Sequence, residues 1–315
     1  MTEGGPVLTV GLVGTGRMGS AMARALSRAG VPLVVHNRNP DRAQALADEL
    51  GARVAGSPAE VAAAADVTLT MLADNAAVTD VFGGDRGLLA GARRGSVLVD
   101  LSTVTPDTLR AFAAAARAAG VGLLDSPVSG STATAEAGQL TLMVGGEAAD
   151  LERARPALKP LAKAIFHLGP LGTGAAMKLA VNTLIFGLNG AVSEGLVLAE
   201  LAGIDRAAAY DVLAASAAGA PFVGYKRAAF VDPDGTPVAF SLDLAEKDLR
   251  LITAFADALG VSMPQATTNL AMVRSASTGG RGGHDFSTVA QELRARARRP
   301  VTAGARRANE EGRES

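Results

Sequence analysis

Apolar residues in the first half of the chain form short unbroken runs, and stretches rich in alanine and polar residues separate them. Runs of this length that do not alternate in polarity are typical of strands buried on both faces of a sheet. We predict strands at Leu8–Val13, Leu33–His36, Val67–Leu72, Val97–Leu101 and Val121–Asp125, and helices between them at Met18–Ala29, Asp41–Leu50, Pro58–Ala64 and Pro106–Ala119. Leu140–Val144 and Ile165–Leu168 are two further strand candidates, which would close the domain. Strands and helices that alternate in this way predict an α/β fold with a doubly wound parallel sheet.

The pattern changes after Gly169, where helical stretches follow one another without strands between them. They are Gly174–Gly203, which contains no proline, Arg206–Ala217, Leu244–Leu259, Pro264–Ser275 and Ser287–Arg296. From about Arg298 onward the chain is polar and almost free of large apolar residues, which is typical of disorder. We therefore predict an α/β domain at residues 1–170, an all-α domain at 171–297 and a disordered tail at 298–315.

Composition excludes several classes of protein. Hydrophobic residues make up 48% of the 315 residues, so a sizeable core can form, and the formal net charge of −1 gives no electrostatic reason to expect nucleic acid or an anionic membrane as a partner. The absence of cysteine excludes disulfides, thiolate metal sites and cysteine nucleophiles. The three histidines, His36, His167 and His284, are too far apart for a metal-ligand spacing, so no metal site is expected.

No targeting or membrane segment is predicted. The N-terminus is short, acidic and glycine-rich, and it leads directly into a strand pattern. The most apolar stretch, Leu179–Val192, is interrupted by Asn182 and Asn189, whereas a membrane span needs roughly 20 mostly apolar residues. We therefore interpret this stretch as a buried helix, and we expect a cytoplasmic protein.

The sharpest local motif is Gly14-Thr-Gly16-Arg-Met-Gly19, which lies between the first predicted strand and the first predicted helix. In this position Gly14 permits a tight turn, Gly16 lets a pyrophosphate approach the backbone and Gly19 lets the helix pack closely. The phosphates then lie against the free N–H groups of the helix N-terminus. The alternative is a glycine-rich turn without a ligand, but the strand–loop–helix context favours a Rossmann domain that binds a nicotinamide dinucleotide.

The end of the second strand bears on the choice of cofactor. NAD enzymes usually have an acid there that binds the ribose 2′-hydroxyl, whereas this chain has Val35-His36-Asn37-Arg38. A guanidinium can hold a 2′-phosphate that a carboxylate would repel. We therefore predict NADP, with NAD as the alternative if Arg38 is only a solvated surface residue.

Two segments further along contain candidate substrate-binding and proton-transfer groups. In Asp125-Ser-Pro-Val-Ser129-Gly130-Ser131 a serine hydroxyl beside a glycine N–H could bind a carboxylate, although an ordinary β-turn has the same composition. Lys178 and Asn182 are four residues apart in an apolar stretch, so they share a helix face. Burial would lower the pKa of the lysine toward values useful for acid–base catalysis, although it could also extend from the helix to solvent.

These motifs together resemble the β-hydroxyacid dehydrogenase family, which includes 3-hydroxyisobutyrate dehydrogenases and glyoxylate/succinic semialdehyde reductases. The matching segments cover residues 8–297 and occur in the same order. They are Gly14–Gly19 (GTGRMG), Asp100–Thr103 (DLST) followed by Pro106, Asp125–Gly130 (DSPVSG), Gly172–Asn182 (GTGAAMKLAVN) and Phe240–Leu249 (FSLDLAEKDL).

The resemblance implies specific roles. Lys178 would be the catalytic acid, Asn182 would orient the substrate, and Lys247 would close the site from the helical domain. Substrate binding is assigned to Thr103, Ser129, Gly130 and Ser131. Cofactor binding is assigned to the glycine loop, the end of the second strand and the residues near the nicotinamide, namely Gly14, Gly16, Arg17, Met18, Gly19, Asn37, Arg38, Leu72, Ala73, Thr103 and Lys247.

The chain departs from the usual pattern of the family at a few positions. Glycines usually stand where this chain has Ser131 and Thr134, an asparagine where it has Thr183, and a proline where it has Ala73. Because the first two changes would line the carboxylate pocket, they bear on the identity of the substrate. The sequence Ser-Gly-Ser at 129–131, together with Ala135-Glu136, is closer to the glyoxylate/semialdehyde reductase branch than to the branch of valine catabolism.

The sequence therefore predicts an NADP(H)-dependent oxidoreductase that interconverts a small carboxylated aldehyde or 2-oxo acid and its hydroxy acid. Two alternatives are an imine reductase of the same architecture, whose members generally lack the lysine, and a non-catalytic cofactor-binding protein. The long apolar helix also predicts a homodimer or homotetramer, since so small a helical domain could not cover it.

Overall fold

The computed structural model describes residues 8–297, and the chain divides into two compact units between Val181 and Asn182. This division lies inside one long helix, whereas the domain boundary predicted at residues 170 and 171 precedes that helix. The tail predicted at 298–315 and the N-terminal segment 1–7 lie outside the described residues.

The first unit contains a six-stranded parallel sheet in the order β3-β2-β1-β4-β5-β6. Its strands are β1 (Val10–Val13), β2 (Leu33–His36), β3 (Arg53–Val54), β4 (Val67–Thr70), β5 (Val97–Asp100) and β6 (Gly122–Asp125). The prediction of a doubly wound parallel sheet is confirmed, and only the two-residue β3 was missed.

A second sheet of three strands follows in the same unit. It contains β7 (Val128–Ser129), β8 (Leu140–Val144) and β9 (Ala162–His167). β8 is antiparallel to β7 and parallel to β9. The two further strand candidates therefore close the domain in a sheet of their own, and an isolated antiparallel bridge joins Asp125 at the end of β6 to Gly145 after β8.

Before Thr173, the described residues of the first unit form nine α-helices around these sheets. They are α1 (Arg17–Arg28), α2 (Pro40–Leu50), α3 (Pro58–Ala64), α4 (Asn75–Phe82), α5 (Leu88–Gly91), α6 (Pro106–Arg110), α7 (Ala113–Ala119), α8 (Thr132–Glu136) and α9 (Ala148–Leu158). The single helix predicted at Pro106–Ala119 is interrupted at Phe112, whose ring packs against that of Phe82 with centroids 5.6 Å apart.

The core of the first unit lies on both faces of the six-stranded sheet. Leu12 and Leu69 belong to the apolar cluster that α1 covers with Met22 and Leu26. The other cluster packs against the opposite face and includes Phe82 of α4. Burial on both faces explains why the strands consist of consecutive apolar residues and do not alternate with polar ones.

Within its described residues, the regular secondary structure of the second unit is helical, apart from an isolated bridge between Ser241 and Asp285. The long helix α10 (Thr173–Leu201) enters it, and α11 (Arg206–Ala215), α12 (Pro221–Val231), α13 (Leu242–Ala258), α14 (Pro264–Ser277) and α15 (Val289–Arg296) follow. Helix α12 was not predicted, because Lys226 interrupts its apolar pattern. In the structure Lys226 is buried and its Nζ lies 2.6 Å from Asp285 Oδ1, so the charge is paired.

Helix α10 has the length and hydropathy of a membrane-spanning helix, and 39% of its most apolar window is buried inside the protein. Core helices of water-soluble proteins meet the same two criteria, so length and hydropathy alone do not place this helix in a membrane.

Three polar residues end neighbouring strands at the carboxyl edge of the parallel sheet. Thr70, Asp100 and Asp125 are in register on β4, β5 and β6. Asp100 is 1% exposed, and its Oδ1 accepts hydrogen bonds from Thr70 Oγ1 (2.5 Å) and Ser102 Oγ (2.6 Å). Its Oδ2 is buried without a donor among the described residues. Burial therefore raises the pKa of Asp100 to about 6, although both hydroxyls oppose this shift.

This raised pKa predicts how Asp100 affects stability. The folded state binds the proton more tightly than the unfolded chain, so the stability that the neutral carboxyl contributes is lost as pH rises from about 4 through about 6. We expect the free energy of unfolding of the wild type, minus that of Asp100→Asn, to fall by roughly 2–3 kcal/mol between about pH 4 and pH 7. Urea denaturation over this range measures the difference.

Asp85→Asn is the matched control, because Asp85 is exposed. Its difference from the wild type should change little over the same range. A flat difference for Asp100→Asn would contradict the prediction, since it would mean that the carboxyl titrates alike in the folded and unfolded states.

Candidate active site

The glycine loop connects β1 to α1 in the manner that its spacing predicts. Gly14 has a φ of +101°, and a Cβ there would overlap the carbonyl oxygen of Met71. A Cβ on Gly19 would overlap the carbonyl oxygen of Gly14, so this glycine allows the helix to pack against the loop. A Cβ on Gly16 would meet no atom of residues 8–297 within 4 Å. The loop is therefore tightly packed at its first and third glycines and open at the second, where a phosphate would approach.

An open cleft of about 410 Å³ lies beside this loop. Its lining includes six of the predicted cofactor residues, namely Gly14, Gly16, Asn37, Arg38, Leu72 and Ala73. No side chain of the described residues caps the N-terminus of α1, and the buried hydroxyl of Thr15 has no hydrogen-bond partner there. These features fit a dinucleotide whose phosphates accept hydrogen bonds from the start of the helix.

Asn37 occupies the position after β2 where an acid would bind a ribose. Its Oδ1 accepts a hydrogen bond from the backbone N–H of Thr15 (3.1 Å), and its Nδ2 donates to the carbonyl oxygen of Asn39 (3.0 Å). The side chain therefore ties the end of β2 to the glycine loop without placing a negative charge in the cleft.

Arginines surround this end of the cleft. Arg17 and Arg42 line a neighbouring cleft of about 510 Å³ that shares Gly16 with the first one. Neither Arg38 nor Arg42 forms an ion pair within residues 8–297, whereas Arg24, on the same surface, is paired with Glu49 at 2.6 Å. Arg42 was not among the predicted residues. Its position four residues after Arg38 would have indicated it.

A hydrogen-bonded chain fixes the loop that follows β4. Ser102 Oγ donates to Asp100 Oδ1 and accepts the backbone N–H of Leu72 at 2.9 Å. Leu72 and the adjacent Ala73 line the cleft. Asp100 therefore positions a wall of the cleft through Ser102, a role that its place in the DLST motif did not reveal.

The segment predicted to bind a carboxylate is sharply turned. Gly130 has a φ of +148°, and a Cβ there would lie 2.5 Å from Thr134 Oγ1. Ser131 caps α8, because its Oγ accepts the N–H of Thr134 (3.2 Å) while Thr134 Oγ1 accepts the N–H of Ser131 (2.7 Å). The two positions where the family usually has glycine thus form a reciprocal capping box.

Helix α10 begins against the same segment of the first unit. The carboxylate of Asp125 accepts the N–H of Gly172 on Oδ1 and that of Ala175 on Oδ2, both at 2.6 Å. Burial raises the pKa of Asp125, and these two N–H groups oppose the shift. Lys178 follows in the next turn of the helix and is half-buried.

In the second unit, Asn182 and Lys247 both contact Asp248. Asn182 is 6% exposed and its Nδ2 donates to Asp248 Oδ2 at 2.8 Å. Lys247 Nζ lies 2.7 Å from Asp248 Oδ1, and Asp248 is 2% exposed. Asp248 was not among the predicted residues, although it directly follows Lys247.

The remaining predicted residues lie in α1, in the loop after β5 and at the end of β7. Gly19 and Met18 belong to α1, where Met18 packs against the core beneath the sheet and does not line the cleft. Thr103 directly follows Ser102 and is half-buried. Ser129 ends β7, whose Val128 and Ser129 pair with Leu142 and Thr141 of β8.

Comparison with known proteins gives two matching family models, which together cover most of the chain. Residues 9–169 match the NAD-binding domain of 6-phosphogluconate dehydrogenase. Residues 172–293 match the model described as NAD-binding of NADP-dependent 3-hydroxyisobutyrate dehydrogenase.

Individual relatives agree with these models. Glyoxylate/succinic semialdehyde reductase 1 of Arabidopsis thaliana is 36% identical over 91% of this chain and 99% of its own length. The crystal structure of 3-hydroxyisobutyrate dehydrogenase from Salmonella typhimurium has a TM-score of 0.82 at 32% identity, with 90% of this chain and 99% of that one covered. Psf3, solved in complex with NADP⁺ and 2-OPP, has a TM-score of 0.83 at 26% identity, with 90% and 100% covered.

Imine reductases have the same fold but are more distant. The structure from Pseudomonas sp. has a TM-score of 0.61 at 24% identity, covering 91% of this chain and 99% of that one. With its nicotinamide-binding first unit, its helical second unit and these relatives, the chain belongs to the β-hydroxyacid dehydrogenases, the NAD(P)-dependent oxidoreductases that act on small hydroxyacids.

Proposed function

We propose that this enzyme uses NADP(H) to interconvert a small carboxylated aldehyde or 2-oxo acid and the corresponding hydroxy acid. One observation carries the proposal. The helix that bears Lys178 starts on the carboxylate of Asp125, at the head of the Asp125–Gly130 segment that the resemblance assigns to the substrate's carboxylate. A proton donor and an anion-binding segment are thus anchored at one residue.

The preference for NADP is supported by charge. An adenosine 2′-phosphate needs cations and no carboxylate close by, and the end of β2 offers Asn37 and Arg38. Arg38 and Arg42 have no acidic partner within the described residues, so their charges are available for a phosphate. NAD is the alternative if these arginines remain solvated.

The residues of the chain divide the reaction into binding and proton transfer. The bound nicotinamide supplies or accepts the hydride. Ser129 and the backbone at Gly130 hold the carboxylate of the substrate, and Thr103 lies near the carbonyl. Lys178 donates a proton to the carbonyl oxygen during reduction and takes it back during oxidation.

Three residues of the second unit complete the proposed machinery. Asn182 orients the substrate, and Asp248 holds the amide of Asn182 through its Nδ2. Lys247, paired with the same carboxylate, is proposed to contact the cofactor from the helical domain. Because one buried acid binds both side chains, a change at Asp248 would displace both.

We assign the enzyme to the glyoxylate/succinic semialdehyde reductase branch and propose small aldehyde acids of that kind as its substrates, in keeping with the 36% identity to the Arabidopsis enzyme. The alternatives that the sequence left open are less favoured. Imine reductases of this architecture generally lack the lysine, and a non-catalytic protein would have no need of both Lys178 and Asn182.

A homodimer or homotetramer in the cytoplasm remains our proposal for the assembled protein. Leu184 and Leu198 of α10 are 69% and 73% exposed. Leu184 lines an apolar groove of about 450 Å³ in the second unit, between α10 and the start of α14. A second copy of the chain would remove this apolar surface from water.

Replacing Arg38 tests the choice of cofactor. Arg38→Ala should raise the KM for NADPH about tenfold or more and leave the KM for NADH nearly unchanged, because only NADPH carries the phosphate that the guanidinium binds. Initial rates with both cofactors measure this ratio. Arg53→Ala, on the exposed β3, is the control, and an unchanged ratio for Arg38→Ala would contradict the assignment.

Replacing Lys178 tests the mechanism. With an aldehyde acid that the wild type reduces, Lys178→Ala should lower kcat by about 10²–10⁴-fold, because the general acid is lost. NADPH oxidation is followed with glyoxylate, succinic semialdehyde, methylmalonate semialdehyde, tartronate semialdehyde and a cyclic imine.

Lys163→Ala, which removes an exposed lysine of β9, is the matched control and should retain activity. Turnover of the imine alone, or wild-type rates in Lys178→Ala, would exclude the proposed reaction. Tight NADPH binding without turnover of any compound would point to the non-catalytic alternative.

The assembly is tested by mass in solution. Light scattering should give two or four times the chain mass of 31.6 kDa, and Leu184→Asp should shift the population toward the smaller species. A wild-type mass of one chain at micromolar concentration would refute the proposed assembly.

A further inference from the structure

The carboxylate of Asp125 holds the first turn of helix α10. Asp125 ends β6 and is 1% exposed. Its two oxygens accept the N–H groups of Gly172 and Ala175, one each, at 2.6 Å. Charged acceptors form stronger hydrogen bonds than neutral ones, and these donors would otherwise lack a partner at the helix start.

The surroundings leave the start of this helix little freedom. A Cβ on Gly174 would overlap the carbonyl oxygen of Met143 and lie 2.8 Å from that of Asp125. A Cβ on Gly145 would lie 2.5 Å from Asp125 Oδ1. The backbone of Asp125 also pairs with Gly145 through two hydrogen bonds of 2.8 and 3.1 Å. Backbone atoms therefore enclose the helix start closely, and the side chain of Asp125 bonds two of its N–H groups.

Lys178 follows Ala175 by three residues, which is about 4.5 Å along the helix axis. A shift or rotation of the first turn would therefore reach the Lys178 side chain almost undiminished. The same Asp125 precedes Ser129 and Gly130 by only a few residues in the chain. It thus connects the segment proposed to bind the substrate with the helix that bears the proposed acid.

We propose that Asp125 is a positioning residue that acts through Lys178, by fixing helix α10 relative to the Asp125–Gly130 segment. This inference rests on the proposed role of Lys178 and adds a residue that does not itself touch the substrate. Its loss should reduce the rate of proton transfer and leave cofactor binding intact, since β4 and β5 separate β6 from β1, the strand that leads into the glycine loop.

Asp125→Asn tests the inference, because the amide keeps one acceptor and places an N–H group against the second helix N–H. We expect kcat to fall about 10–100-fold, since a displacement of about 1 Å can cost 10²-fold. The Kd for NADPH, from fluorescence titration, should change by less than about twofold. The effect should vanish in the Lys178→Ala background, where Asp125→Asn should not lower the residual rate further.

The comparison of single and double variants separates positioning from general stability. A merely structural role would lower the rate by the same factor in both backgrounds and would weaken NADPH binding. That outcome, or an unchanged kcat in Asp125→Asn, would overturn the inference. Wild-type rates in Lys178→Ala would instead refute the proposed function, so the two failures are distinguishable.

Two further variants complete the test. Thr173→Ala removes the hydrogen bond from Thr173 Oγ1 to the carbonyl oxygen of Pro170 at the same helix start but leaves both contacts of Asp125, so kcat should be retained. If Asp125→Asn does not fold, Gly145→Ala serves in its place, because its methyl group would displace the carboxylate without removing it. The loss of kcat in Gly145→Ala should likewise vanish in the Lys178→Ala background. A loss of the same size in both backgrounds would overturn the inference.

Discussion

Buried acids at the carboxyl edge of the parallel sheet must find hydrogen-bond donors, and the loops of the site are arranged around that requirement. An unpaired carboxylate in the interior is costly, so each acid fixes the segment that supplies its donors. Asp100 takes hydroxyl groups from Thr70 and Ser102, and Ser102 in turn holds the N–H of Leu72. Asp125 takes its donors from the start of α10. One wall of the cofactor cleft and the helix of Lys178 are therefore positioned by the same constraint.

At the end of β2 one uncharged side chain holds the glycine loop and bears on the proposed choice of cofactor. The N–H of Thr15 in the glycine loop needs an acceptor, and Asn37 Oδ1 supplies it at 3.1 Å. A carboxylate there could accept the same hydrogen bond, but it would add a negative charge beside Arg38. The amide thus preserves the loop geometry and adds no carboxylate beside Arg38, and the proposed preference for NADP rests on this arrangement.

The elements predicted best are those whose pattern is local. Strands β2 and β8 match their predicted bounds, because short apolar runs between turn residues encode them directly. The two-residue β3 and β7 are too short to show a period. Helix α12 contains a lysine that becomes compatible with burial only through Asp285, 59 residues away. In the site, the glycine loop was predictable from spacing alone, whereas the contacts of Asp125 and Asn182 span 47 to 66 residues and have no local pattern.

Ser131 and Thr134, two of the positions where this chain departs from the family pattern, act on the backbone of their segment. Thr134 donates its hydroxyl to the carbonyl oxygen of Ser131 and accepts the N–H of Ser131, while Ser131 Oγ accepts the N–H of Thr134, so both hydroxyls take part in the start of α8. Gly130 keeps a φ of +148° and lies against Thr134, which fixes the turn. In the proposed reaction, this segment binds the substrate through the Ser129 hydroxyl and a rigid backbone. Such a site would select for a carboxylate close to the reacting carbonyl and set few limits on the rest of a small substrate, in keeping with the proposed reduction of short aldehyde acids.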